Sequence, residues 1–117
     1  MPSAHERLKD RLSGSSEIKI TVTGRKSGRP ISIPVWFVLE DDTLYLLPVK
    51  GSDTQWYQNV LKHLAIRIAE GGAQEFRVIP ITDPAQVSAV VEKFRGKYAG
   101  DVKKYYSKFD VAVRIEM

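Results

Sequence analysis

The sequence contains no cysteine among its 117 residues, which excludes disulfides, thiol catalysis and metal sites built on thiolates. It has only two histidines, His5 and His63, and they do not form a His-x-x-x-His pair. The Gly-x-Ser-x-Gly elbow of many hydrolases is also missing. We therefore expect no metal site and no catalytic triad. If the protein is an enzyme, a cofactor is expected to supply the difficult chemistry.

Long apolar runs are missing as well. No stretch approaches the roughly 20 apolar residues that cross a membrane. The first residues lack the apolar centre of a secretory signal. Together with the absence of cysteine, these features predict a cytoplasmic protein without a transmembrane segment. The length predicts a single domain over residues 1–117, with a short helix within residues 1–14.

The chain has little excess charge of either sign. Lysine and arginine number 18 against 14 aspartates and glutamates, a net charge of +4. This excess permits nucleic-acid binding but does not indicate it. The aromatic residues lie in apolar segments and are not interleaved with the cations, as a single-stranded nucleic-acid site would require. We expect a small-molecule partner and no nucleic acid.

Apolar periodicity predicts mainly β structure with some helices. Alternation predicts six strands, at residues 17–23, 31–39, 43–49, 64–69, 74–81 and 109–115. Spacings of three and four predict helices at 4–12, at 53–63 and from 83 onwards, with further helical turns over 101–108. Ser52 and Gln55 form a capping box that predicts the start of the second helix, and the cap residue Asp83 followed by Pro84 predicts the start of the third. Because the strands are linked by hairpins and do not alternate with helices, we expect a small antiparallel barrel of the α+β class.

A basic loop joins the first two predicted strands, with the sequence Thr23-Gly24-Arg25-Lys26-Ser27-Gly28-Arg29-Pro30. A hairpin needs a turn residue or two and does not need three cations. A phosphate site needs glycines for close approach, amides that point inward and cations that neutralise charge. The loop matches neither the Walker motif nor the dinucleotide fingerprint. By itself it fits a phosphate site and an exposed hairpin tip equally well.

Two further segments point to the same kind of ligand. Lys50 and Gly51 precede a predicted helix, whose N-terminus would attract an anion. The strand between the two basic segments contains Pro34 and Trp36 and offers the apolar wall that a flat aromatic ring needs.

These segments together resemble the deazaflavin-dependent nitroreductase family of the split β-barrel flavin-binding superfamily. The resemblance rests on Thr21–Pro30, on Ile33-Pro34-Val35-Trp36, and on Lys50-Gly51 followed by Trp56-Tyr57-x-Asn59. It implies a six-stranded antiparallel split β-barrel with inserted and flanking helices. By analogy, two chains are expected to pair as a homodimer. It also implies coenzyme F420 as the cofactor, with FMN as the alternative. The cofactor would pass a hydride to a quinone, a nitroaromatic or another conjugated acceptor, unless the protein only binds or carries it.

The resemblance also implies roles for particular residues. The anionic tail of the cofactor would lie against Arg25, Lys26, Ser27, Gly28, Lys50 and Gly51, and its ring against Ile33, Pro34, Trp36, Trp56 and Asn59. Tyr98 and Tyr105 are the catalytic candidates near the acceptor. Ile31 stands where the family commonly has an arginine, so one anion contact is either missing or supplied by Arg29.

Overall fold

The computed structural model describes residues 17–68 and 75–116. The helix predicted at 4–12 and the hairpin turn predicted at 70–73 lie outside these residues. The elements follow in the order β1 (Ile18–Thr23), β2 (Pro30–Val35), β3 (Phe37–Glu40), β4 (Thr43–Leu46), a 3₁₀ turn (Gly51–Asp53), α1 (Gln55–Lys62), β5 (Ala65–Ile68), β6 (Glu75–Ile81), α2 (Pro84–Tyr98), α3 (Asp101–Tyr105) and β7 (Ala112–Glu116).

The seven strands form one antiparallel sheet in the order β2-β1-β5-β6-β7-β4-β3. Its two outermost strands, β2 and β3, are separated in sequence by Trp36 alone. In a flat sheet these two edges would lie about 29 Å apart, because neighbouring strands are about 4.8 Å apart. The chain passes from one edge to the other within a single residue, so the sheet must curl. The predicted split-barrel fold is confirmed, with seven strands because the strand predicted at 31–39 is divided at Trp36.

Two apolar clusters lie on opposite faces of this sheet. Val113 and Ile115 belong to one cluster and Ala112 to the other, as expected for alternate residues of one strand. The first cluster also contains Trp56, Tyr57 and Val60, so α1 packs on one face of the sheet. The second contains the apolar faces of α2 and α3, formed by Val87, Val90, Val91, Phe94 and Val102. No helix among the described residues is long and apolar enough to cross a bilayer.

The helix starts show where short motifs succeed and fail. At α2 the predicted cap is confirmed, because the Asp83 carboxylate accepts a hydrogen bond from the Gln86 amide at 3.0 Å. At α1 the predicted capping box is wrong. The helix begins at Gln55 after Thr54, and the Ser52 hydroxyl donates to the Asp110 carboxylate at 2.6 Å. Ser52 lies in the 3₁₀ turn before the helix and not at its N-cap, so its hydroxyl bonds to the segment before β7.

Candidate functional site

Two adjoining cavities form one cleft between the basic loop, β2 and the start of α1. The first, which we call the basic cavity, has a volume of about 400 Å³ and is lined by Gly24, Arg25, Lys26, Ser27, Ile31, Ile33, Thr54, Gln55, Trp56 and Asn59. The second, the aromatic cavity, has a volume of about 530 Å³ and is lined by Glu17, Ile33, Pro34, Val35, Trp36, Leu47, Val49, Thr54, Trp56, Tyr105 and Tyr106. They share Ile33, Thr54 and Trp56. The size of each is typical of a small-molecule site.

Arg25 is held in the basic cavity by two amide side chains of α1. Its Nη1 donates to Asn59 Oδ1 and its Nη2 to Gln55 Oε1, each at 2.8 Å. Its backbone amide donates to the same Asn59 oxygen at 3.1 Å, and Asn59 is only 5% exposed. Both partners are neutral, so they orient the guanidinium without cancelling its charge. A guanidinium has five N–H donors, and those not used here remain available to an anion.

Several backbone amides of the basic loop already donate hydrogen bonds within the protein. The Gly24 amide donates to the Arg29 carbonyl and the Gly28 amide to the Gly24 carbonyl, both at 2.8 Å. The Arg29 amide donates to Ser27 Oγ at 3.2 Å. With the Arg25 amide bonded to α1, four backbone donors of the loop are occupied. Fewer backbone amides are therefore available to an anion than the sequence predicted. The loop would attract an anion mainly through the charge of its side chains.

The Lys50–Gly51 turn lies outside the lining of both cavities. Gly51 has a φ of 55°, and a Cβ there would collide with the Asp110 carboxylate and crowd the Lys108 side chain. The amide of Ser52 donates to Asp110 Oδ1 at 2.9 Å. The turn is thus packed against the segment before β7. This packing alone accounts for a glycine at position 51, and no bound ligand is needed to explain it.

The aromatic cavity is bounded by a cluster of rings around Trp36. The indole of Trp36 stacks on Tyr98, with ring centroids 4.3 Å apart and planes inclined by 8°. The ring of Tyr105 meets the indole edge-on at 5.6 Å, and that of Tyr106 lies 5.8 Å away. Tyr105 is 54% exposed and lines the cavity, whereas Tyr98 stands behind Trp36. Of the two predicted catalytic tyrosines, the structure brings only Tyr105 to the cleft.

The hydroxyl of Tyr98 holds the bend between β2 and β3. It donates to the Phe37 carbonyl at 2.9 Å and accepts from the Phe37 amide at 3.1 Å. Burial raises the pKa of Tyr98, and burial also raises the pKa of Tyr106 well above its usual value. Both phenols therefore stay protonated near neutral pH and can donate a hydrogen bond, but neither can serve as a base there.

The cleft unites most of the residues that the sequence singled out. Its lining includes Arg25, Lys26, Ser27, Ile33, Pro34, Trp36, Trp56 and Asn59. Gly28, Arg29, Lys50 and Gly51 lie outside that lining, so their predicted role gains no support.

The sequence reasoning missed several other lining residues, among them Gln55, Thr54, Leu47 and Val49. Gln55 could have been found, because it lies four residues before Asn59 and so shares its helix face.

The described residues offer no evident metal site near the cleft. His63 lies at the end of α1, where its ring pairs with Glu75 at 3.4 Å on the exposed surface. Within residues 17–68 and 75–116, no group of three or more histidine, cysteine, aspartate or glutamate side chains is placed to hold a metal ion.

Comparison with known families gives one match. The model of the family described as "Uncharacterized protein conserved in bacteria (DUF2255)" matches residues 9–113. No curated protein matches the sequence.

Several solved structures share the fold. An F420-H2 dependent reductase (FDR-A) is 17% identical with a TM-score of 0.60, over 86% of this chain and 94% of that chain. The heme storage protein HutZ from Vibrio cholerae is 11% identical with a TM-score of 0.70, over 93% and 86%. A putative 5-nitroimidazole antibiotic resistance protein from Bacteroides thetaiotaomicron is 15% identical with a TM-score of 0.69, over 94% and 77%. At these identities the likeness shows the split-barrel fold.

Proposed function

The chain belongs to the DUF2255 family, and we propose that it is a reductase that binds coenzyme F420, with FMN as the alternative cofactor. Its acceptor would be a quinone, a nitroaromatic or another conjugated molecule. One observation carries the proposal: a single cleft is cationic at one end and aromatic at the other. Both cofactors combine a flat ring with a phosphate, so each needs these two surfaces side by side.

The basic end suits the phosphate. Arg25 presents a charge that its neutral partners leave uncancelled, and Lys26 adds a second cation to the lining. Hydrogen bonds between such groups and a phosphate are shorter and stronger than those between neutral groups. No acidic side chain of the described residues lines this cavity, so none of them opposes an anion there.

The aromatic end suits the ring. Ile33 and Trp56 line both cavities, so the apolar surface continues from the phosphate end to Trp36 and Tyr105. An apolar and aromatic wall with a few polar groups is the usual setting for a flat cofactor.

Bound in its reduced form, such a cofactor supplies a hydride, which carries two electrons. A quinone that accepts the hydride also takes up one proton and becomes a hydroquinone, while the cofactor is oxidised. The chain's own groups would position the cofactor and the acceptor. The hydroxyl of Tyr105, at the rim of the aromatic cavity, or a water molecule would donate the proton.

The surface beside the cleft is suited to pairing of two chains as a homodimer. Among the described strands, β2 pairs with β1 alone, so its other edge has no neighbour in that part of the chain. Three large apolar side chains beside the cleft are exposed, Ile31 and Val49 by 40% each and Tyr105 by 54%. A second copy would cover this surface, and the molar mass in solution, measured by light scattering, tests it.

The proposal is tested by purifying the protein from a host that makes both cofactors and recording its ultraviolet–visible spectrum. We expect the absorbance of a deazaflavin or flavin, and oxidation of the reduced cofactor when menadione is added. Binding without electron transfer to any acceptor would favour a carrier. No binding of either cofactor at high micromolar concentration would refute the proposal.

Heme is included as a comparison ligand in the same test. Among the described residues, no histidine, cysteine or methionine lines either cavity, so an axial ligand drawn from this lining would be Tyr105 or Tyr106. Tight heme binding with a tyrosinate spectrum, together with no flavin binding, would replace the proposed reductase by a heme protein.

A further inference from the structure

We infer that the basic cavity recognises one phosphate group and nothing beyond it. This inference rests on the proposed function and concerns the specificity of the same site. It means that the protein distinguishes ring cofactors with a phosphate from those without one, but does not distinguish short from long glutamyl tails attached beyond that phosphate.

The first argument is the number of cations in the lining. Within residues 17–68 and 75–116, Arg25 and Lys26 are the cations that line the cleft. The phosphate of FMN is a monoester with a charge of about −1.5 to −2 near neutral pH, which two cations balance, whereas the phosphate of F420 is a diester with a charge of about −1. The side chains of Arg29 and Lys50, the other cations of the two basic segments, lie outside the lining, so at most one positive charge is left for the several carboxylates of a long tail.

The second argument is the apolar wall beside the basic loop. Ile31 lines the basic cavity, and its Cδ1 lies 3.1 Å from the point that a Cβ on Gly24 would occupy. The isoleucine therefore packs directly over the loop. A tail carboxylate placed against it would lose water and gain no hydrogen-bond partner, which is unfavourable.

The third argument is the state of the loop amides. The backbone donors of Gly24, Arg25, Gly28 and Arg29 already have partners within the protein. They cannot form an extended row of anion contacts without breaking the loop. A tail that leaves the cavity then lies in solvent, where its charges are screened within about 8 Å and contribute little.

The experiment is a titration series that separates the phosphate from the tail. Riboflavin is compared with FMN, and the deazaflavin with only its ribityl chain is compared with F420 carrying a short or a long glutamyl tail. We expect the phosphate to tighten the dissociation constant by at least about tenfold. Lengthening the tail should change it by about threefold or less.

Substitutions then locate the contacts. Arg25→Ala should remove most of the gain that the phosphate gives, whereas Arg29→Ala and Lys50→Ala should each change the affinity for long-tailed F420 by less than about twofold. Lys62→Ala removes one charge from α1 outside the cleft lining and serves as the matched control.

The outcomes are distinguishable. Tighter binding of long-tailed F420 by tenfold or more, reduced by Arg29→Ala or Lys50→Ala, would overturn this inference and leave the proposed function standing. Equal binding of riboflavin and FMN would also overturn it. If none of the compounds binds, the proposed function itself fails.

Discussion

A single buried side chain, Asn59, sets the position of the cation on which the site depends. Its Oδ1 accepts from both the backbone amide and the guanidinium of Arg25, although the two residues are 34 apart in sequence. The asparagine thus acts on a ligand through Arg25 and is a positioning residue. Its neutrality matters as much as its place, because a carboxylate there would cancel the charge.

Two substitutions at this position separate placement from charge. Asn59→Ala removes the acceptor, and we expect the free energy of unfolding to fall by about 1–2 kcal/mol and FMN binding to weaken. Asn59→Asp keeps an acceptor for Arg25 but pairs its charge, so the fold should survive while FMN binding weakens at least as much. Chemical denaturation and titration measure the two effects. Wild-type affinity in Asn59→Asp would contradict the role assigned to Arg25.

Asp110 is the residue for which a pH dependence can be stated. Burial raises its pKa, but hydrogen bonds from the Ser52 hydroxyl and amide and the charge of Lys108 outweigh this, so the pKa lies below its ordinary value. A carboxyl whose pKa is lowered by folding stabilises the protein at pH values above the pKa that the same carboxyl has in the unfolded chain, which is about 4. That stabilisation is lost as the pH falls through the folded pKa.

The comparison of wild type with Asp110→Asn tests this sign. At neutral pH the variant should be less stable, because asparagine cannot attract Lys108 or accept from Ser52 as strongly. The difference should shrink as the pH falls below about 4. Urea unfolding at several pH values measures it, and a difference that stays constant down to strongly acidic pH would contradict the account.

At the scale of elements, two glycines play opposite parts. Gly51 lies in the turn before α1 with a positive φ of 55° and with the Asp110 carboxylate where a Cβ would be. Gly96 lies inside α2, and a Cβ there would meet nothing within 4 Å. The same substitution should therefore have opposite effects at the two positions.

We expect Gly51→Ala to lower the free energy of unfolding by about 1–3 kcal/mol through backbone strain and crowding. Gly96→Ala should raise it by roughly 0.5–1 kcal/mol, because glycine is a poor helix residue. Thermal or urea unfolding compares them directly. No loss of stability in Gly51→Ala would show that the turn before α1 is not built as described, and a loss of stability in Gly96→Ala would contradict the open space beside α2.

The end of α2 and the start of β3 form the second contact between elements with a clear test. Tyr98→Phe removes the hydroxyl that bonds both backbone groups of Phe37 but keeps the ring stacked on Trp36. We expect a loss of about 1–3 kcal/mol in the free energy of unfolding. Tyr105→Phe removes the same atom from an exposed side chain and should change it by less than about 0.5 kcal/mol. Equal losses in the free energy of unfolding of the two variants would show that the hydrogen bonds between Tyr98 and Phe37 do not stabilise the fold.

At the scale of the whole molecule, features set by neighbouring residues could be predicted from the sequence. Features set by the closing of the curled sheet could not. Strand alternation and the cap of α2 are local, and the strands and α2 were predicted correctly apart from their ends. The division of one predicted strand at Trp36 was not predicted, because the bend follows from closing the sheet.

The same distinction holds for the site, where continuous segments could be predicted and contacts between distant residues could not. The basic loop and the Pro34–Trp36 wall were visible as continuous segments, and both line the cleft. The role of Lys50–Gly51 could not be judged from sequence, because the turn packs against Asp110, which lies 58 residues after the Ser52 amide that it accepts from. The bond between Arg25 and Asn59 likewise depends on how the loop meets α1.

The most direct test of the account is a titration of FMN and F420 into wild-type protein and the Arg25→Ala/Lys26→Ala variant, with Lys62→Ala as the control. The account predicts that the double variant folds normally but binds both cofactors at least about tenfold more weakly, because the charge-assisted bonds to the phosphate are lost. Lys62→Ala should bind like the wild type. Unchanged affinity in a folded double variant would show that the basic loop is only an exposed hairpin tip.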